Sequence, residues 1–230
     1  MNITFKSNPL SGLHILATAL ICSTLSLGAQ TSSPGKTRIA VLGGVNFQNL
    51  NGTDRKGVKL ENKMITAYHV GLNVMIPVAS EFYFQPGLVY SVKGAKQQND
   101  SFGNTVKVGY LEMPLNFVYS AALGSGKFIL GFGPYLAYGI TGKHISKSDV
   151  KSDIIFSNSS NSGNPDNMST LKRFDAGGNI FAGYELKNGL FFQLNTQLGM
   201  LKINPEYSNF SDDKTILKNT GFGVSMGFRF

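Results

Sequence analysis

Tryptophan is absent from this sequence, and cysteine occurs once, at Cys22. One cysteine excludes a disulfide framework and the small stapled folds that depend on one. Cys22 also sits inside an apolar N-terminal stretch and follows Ile21, where a lipid-modification signal wants a small residue, so it is expected to leave with a leader. Charge is thin: Asp, Glu, Lys and Arg make up 15% of the chain, against roughly 25% in ordinary soluble domains. Beyond the N-terminus there is no apolar run of the roughly 20 residues that a membrane-spanning helix needs. No Lys/Arg cluster exceeds two residues, and no basic stripe alternates with aromatics. The formal charge of +8 therefore does not indicate nucleic-acid binding. Histidines number three, no cluster has metal-ligand spacing, and no glycine-rich phosphate loop precedes a helix. Neither metal nor cofactor is expected.

What is present is alternation. The last eleven residues, TGFGVSMGFRF, place Phe222, Val224, Met226, Phe228 and Phe230 on one parity and Gly221, Gly223, Ser225, Gly227 and Arg229 on the other. Such period-2 patterning marks a strand. A bare aromatic edge strand invites pairing with other chains, whereas a closed barrel pairs its last strand with its first. The same pattern recurs over residues 37–48, 66–77, 81–93, 106–120, 127–141, 173–186 and 190–201, which with the final stretch predicts eight strands. Long connections follow the first, third, fifth and seventh, the longest being 142–171. Short ones follow the second, fourth and sixth, including the Asn188-Gly189 hairpin signal. Residues 1–29 read as a signal peptide, with Lys6 before an apolar region over 15–27 and Ala29 before the cut. Residues 30–36 read as a short lead, and 37–230 as one barrel domain.

Apart from Lys107 at the start of its strand, the apolar parity of these strands carries no charge and no amide; Thr37, Thr66, Thr196 and Thr220 are its only other polar residues. A soluble barrel would show a Lys- and Glu-rich outer face, whereas charge on a lipid face costs roughly 2–4 kcal/mol at midplane. Aromatics on that parity fall at two levels, among them Phe82, Phe117, Phe128, Phe192 and Phe228 near the short turns, and Phe47, Tyr68, Tyr90, Tyr138 and Phe222 near the long loops. Two girdles flanking an apolar band describe an outer-membrane barrel. The expected fold is thus an all-β, eight-stranded antiparallel transmembrane barrel with short periplasmic turns, long external loops and both termini periplasmic.

Several stretches resemble a known family: FQPGLVYSVKGAK (84–96), YLEMPLNFVY (110–119), GPYLAYGITGK (133–143), RFDAGGNIFAGYEL (173–186) and the closing GFRF. They are similar to the PorT-like, porin-family small outer-membrane barrels of Bacteroidetes-type Gram-negative bacteria. The resemblance implies an eight-stranded outer-membrane barrel and little about activity. One member is associated with the secretion and maturation of exported proteases.

The inward parity carries Lys93, Glu112, Asp175, Glu185 and Arg229, with His69 beside them, a pattern expected to form a polar network in the lumen. Eight strands leave an interior that side chains can fill, so an open diffusion pore is not expected. His144-Ile145-Ser146 has the His-x-Ser spacing of outer-membrane lipid A deacylases, and both residues would face lipid if the strand continued. That motif is weak, and no enzyme is expected. Phe222, Phe228 and Phe230 read as an assembly signal for the outer-membrane barrel assembly machinery. The leading expectation is a monomeric structural or interaction barrel, surrounded by outer-membrane lipid, whose loops meet an extracellular or secretion-system partner. A narrow channel or transport accessory is the alternative, and a lipid A-modifying enzyme a further one.

Overall fold

Alternating large apolar and small or polar residues produce eight long antiparallel strands: β1 (Arg38–Thr53), β2 (Ile65–Ala79), β3 (Phe82–Gln97), β4 (Thr105–Leu123), β5 (Gly126–Ile145), β6 (Phe174–Glu185), β7 (Leu190–Gly199) and β8 (Ile216–Arg229). The computed structural model describes residues 35–98, 104–160, 168–210 and 212–230. The expected signal peptide over 1–29 and Cys22 lie outside these residues. Each strand pairs with its neighbour in sequence, and β8 closes on β1 from Ala40↔Arg229 to Thr53↔Ile216. The result is a closed eight-stranded barrel in which no long strand has a free edge.

Several strands overrun the expected boundaries at the long-loop end, while β6 begins at Phe174 and β7 stops at Gly199, one and two residues short. β1 reaches Thr53 rather than residue 48, β3 reaches Gln97, β5 reaches Ile145, and β8 begins at Ile216. The ladder needs only backbone groups, so pairing continues where the apolar alternation that marks a strand in sequence has already faded. Two short segments extend it further: Asn62–Lys63 pairs with β3, and Lys151–Asp153 with β5. At the other end the connections are tight. Between β6 and β7, the Asn188 side chain accepts a 3.1 Å bond from the Leu190 amide, and Gly189 takes φ +91°, a conformation costly to residues with a Cβ.

Faces sort as the alternation requires. Val41, Tyr68, Leu72, Leu88, Phe117, Leu136, Leu194 and Val224 are exposed on the outside, while Asn46, His69, Lys93, Glu112 and Ser225 are buried inside. The outer apolar stretch runs over residues 39–47 on β1, 82–92 on β3 and 190–200 on β7, close to the 9–11 residues a tilted strand needs to cross a bilayer. Aromatic contacts cluster at its two edges. Phe82–Tyr119 and Phe228–Phe230 (5.2 and 5.1 Å between centroids) lie at the short-turn end, Phe47–Phe222 and Tyr68–Tyr90 (5.1 and 6.0 Å) at the long-loop end.

One irregularity corrects an expectation. Gly109 pairs with Thr141 but Tyr110 pairs with Gly139, so Ile140 is an extra residue in β5. A bulge reverses the parity of everything beyond it. His144 therefore turns inward and is 7% exposed, opposite Ser152, instead of facing lipid with Ser146 as the uninterrupted alternation predicted.

Candidate functional site

Buried charges inside the barrel fall into two separate groups. Nearer the long loops, the Lys93 ammonium lies 3.0 Å from Glu112 Oε1 and 3.5 Å from Asp175 Oδ2. Its cation also sits 4.1 Å above the Tyr135 ring and 5.5 Å from that of Tyr110. Asp175 accepts further bonds from the Tyr135 hydroxyl (3.1 Å) and the Asn219 amide (2.9 Å), and Glu112 accepts one from Gln197 (3.0 Å). One cation thus faces two carboxylates, each with additional donors, as buried ions require.

Nearer the short turns the ratio is inverted. Glu185 receives Arg229 Nε at 2.8 Å on one oxygen and Arg38 Nη1 on the other. Arg229 also reaches Asn73 Oδ1 at 3.2 Å and lies 5.1 Å over the Phe191 ring. Three cations (Lys93, Arg38, Arg229) therefore meet three carboxylates (Glu112, Asp175, Glu185) across the two groups. The pairs Lys93 with Glu112 and Asp175, and Arg229 with Glu185, join residues singled out by inward parity. Arg38 was not among them. It precedes the first apolar residue of β1, and its place follows from the barrel closure that sets Ala40 opposite Arg229.

His69 stands apart from both groups. Its Nδ1 is 2.7 Å from Asn46 Oδ1 and its Nε2 2.8 Å from Ser225 Oγ, which also receives the Asn195 amide at 2.8 Å. Gly44 makes room for this ring: a Cβ there would come within 2.7 Å of His69 Cε1 and 2.0 Å of the Val224 carbonyl oxygen. Beside it is a cavity of about 90 Å³ bordered by Glu112, Asn116, Asn179 and Gln193, room for about three waters at roughly 30 Å³ each.

Above the Lys93 group the lumen becomes apolar, which the alternation did not reveal. Leu50, Val106, Val108, Tyr110, Tyr135 and Leu217 from the strands bury against Ile154, Met168, Leu171 and Ile203 from the long loops. Those loops are knitted by backbone bonds. Ile154 donates to the Gly142 carbonyl (3.1 Å), Lys172 to that of Ile203 (2.7 Å), and Ile203 to that of Leu217 (2.9 Å). Thr170–Leu171 pairs with Ile155–Phe156, and Glu206–Tyr207 with Ser159–Ser160. The Lys172 ammonium donates to Glu206 at 3.0 Å and, with Lys202, holds that carboxyl below its usual range. This tie contributes above the ordinary carboxylate range and weakens as pH falls through the depressed value.

Of the proposed assembly residues, Phe222 stacks on Phe47 and Phe228 packs on Phe230. Phe230 is 70% exposed, and its amide donates to the Ile39 carbonyl at 2.8 Å.

The family model described as outer membrane protein beta-barrel domain matches residues 28–204. Among solved structures, the chain is similar to Ail, the attachment invasion locus protein of Yersinia pestis, in complex with the heparin analogue sucrose octasulfate. Identity is 11% over 85% of this chain and 100% of that chain, with a TM-score of 0.41. An outer membrane channel from Pseudomonas putida F1 aligns at 12% identity over 90% of this chain and 100% of that chain, with a TM-score of 0.29. Comparison with curated proteins returns no match.

Proposed function

The chain belongs to the outer membrane protein beta-barrel domain family, and from that premise we propose that it is an interaction barrel rather than a conduit. The barrel holds a knitted platform of long loops at the cell surface, where it meets a partner outside or in a secretion system. The observation that carries this reading is the apolar plug. Ile154, Met168, Leu171 and Ile203 fill the lumen from the loop side, so the same side chains close a passage and fix the loops in one arrangement. Exposed apolar residues remain on the loops for contact, Val150 and Ile155 at 66% and 64% exposure. A cleft of about 560 Å³ between Arg55, Phe210 and Lys214 adds a mixed-charge surface. The PorT-like resemblance favours a secretion accessory among such roles, and the leader over 1–29 is removed on export in this reading.

Orientation and conduction are tested together. With the chain expressed in a Gram-negative host, S148C in a long loop is expected to react with a membrane-impermeant maleimide on intact cells, and N188C in a short turn only after lysis. The purified barrel in planar bilayers is expected to show no steady conductance. Labelling of N188C alone on intact cells would reverse the topology, and a stable ohmic current would return the narrow-channel alternative.

A further inference from the structure

Just past the apolar belt at the long-loop end, five lysines share the outer face. Lys63 is directly opposite Lys96. Lys96 is opposite Thr105 on β4, and two residues on, Lys107 is directly opposite Lys143 on β5. Lys151 follows opposite Ile145. Lys96 lies between buried Ala95 and Gln97, Lys107 between buried Val106 and Val108, and Lys143 between buried Gly142 and His144. All five lysines are exposed and point away from the lumen.

Like charges directly opposite across strands are destabilising, and here two such pairs stand side by side. The acids on the same face are Glu61 and Asp153, and Asp153 is paired to Lys143. Among the described residues Lys63, Lys96 and Lys107 have no ion-pair partner. The belt below them ends in Tyr68, Tyr90 and Tyr138, exposed on the same face or half-buried there. Interfacial tyrosines sit at headgroup level, and Lys107 and Lys96 follow four and six residues beyond Tyr90 along the same outward face, on the headgroup side of the belt.

We propose that the row Lys63, Lys96, Lys107, Lys143 and Lys151 binds the phosphate groups of an anionic membrane lipid whose acyl chains lie on the apolar belt beneath. A lipid satisfies both halves of this surface, the cation row and the tyrosine-edged belt, whereas a soluble polyanion would engage only the first. The proposal rests on the outer-membrane placement of the belt and not on which end faces outward.

The test uses the full mature chain folded in non-ionic detergent, with bound lipid counted by native mass spectrometry. The probes are bisphosphorylated lipid A, the same lipid with both phosphates removed, and inorganic pyrophosphate. Wild type is expected to bind the bisphosphorylated lipid tightly, its dephosphorylated form at least tenfold more weakly, and pyrophosphate weakly. At about fivefold per lysine near an anionic headgroup, K63Q/K96Q/K107Q/K143Q should lose more than a hundredfold, while K36Q/K187Q at the short-turn end should bind as wild type. K107Q alone, expected to lose about fivefold, and the all-arginine counterpart, expected to retain binding, decide the matter should the fourfold variant not fold. Equal binding of both lipid forms, pyrophosphate binding as tight as lipid, or undiminished binding by the lysine variants overturns the proposal. Binding in detergent is independent of topology, so a reversed orientation in cells and a failed lysine row are distinguishable results.

Discussion

Removing the Lys93 ammonium would leave Glu112 and Asp175 facing each other inside the barrel without a cation. Breaking a buried pair from one side costs roughly 3–5 kcal/mol, and K93M is expected to lose about that much, read from urea unfolding in micelles by far-UV circular dichroism. K93M/D175N should regain part of the loss, because only one carboxylate then remains. Stability equal to wild type for K93M would mean that the group is not a coupled ion cluster. At this scale inward parity brought Lys93, Glu112 and Asp175 onto one surface, since alternation specifies side. It did not name Tyr135, Asn219 or Gln197 as their partners. Partnership across the lumen depends on barrel shear, which the alternation along single strands does not encode.

Strands were legible wherever one face meets lipid, and less so where it does not. The extra Ile140 in β5 sits among Gly139, Thr141 and Gly142, residues whose small or polar side chains fit either parity. Nothing in that run marks the slip that turns His144 inward. β8 is the opposite case, with its register against β1 unbroken from Ala40↔Arg229 to Thr53↔Ile216. Phe230 adds one backbone bond to Ile39 and one ring contact to Phe228 at its end. Their loss should cost the folded barrel only about 2 kcal/mol. Deleting Phe230 is therefore expected to lower the amount inserted in the outer membrane several-fold while the inserted fraction keeps its heat-modifiable gel mobility. Normal insertion of the truncated chain would remove Phe222, Phe228 and Phe230 from the role of assembly signal.

For the whole molecule, the question is whether the apolar plug is a gate or a foundation for the loops. Its loop members lie in Ser- and Asn-rich segments without periodicity, so sequence showed a long irregular connection where the structure has a second core. Below that core the lumen is still filled: Lys93, Glu112 and Asp175 span it, and Met75, Val118, Ile129 and Phe181 pack together nearer the short turns. A gate would be the single barrier, whereas a foundation can fail while the barrel stays shut. L171A/I203A removes two buried loop side chains, each worth about 2–5 kcal/mol in a packed core, and should release the loops without unfolding the strands. Trypsin is then expected to cut rapidly after Lys172 and Lys202 in the variant and slowly in wild type, with the barrel fragments resistant in both. Planar-bilayer recordings of L171A/I203A should remain silent, because the ion cluster and the lower apolar group persist. Rapid cleavage accompanied by a new steady current would make the plug a gate, and the interaction-barrel reading would give way to the channel.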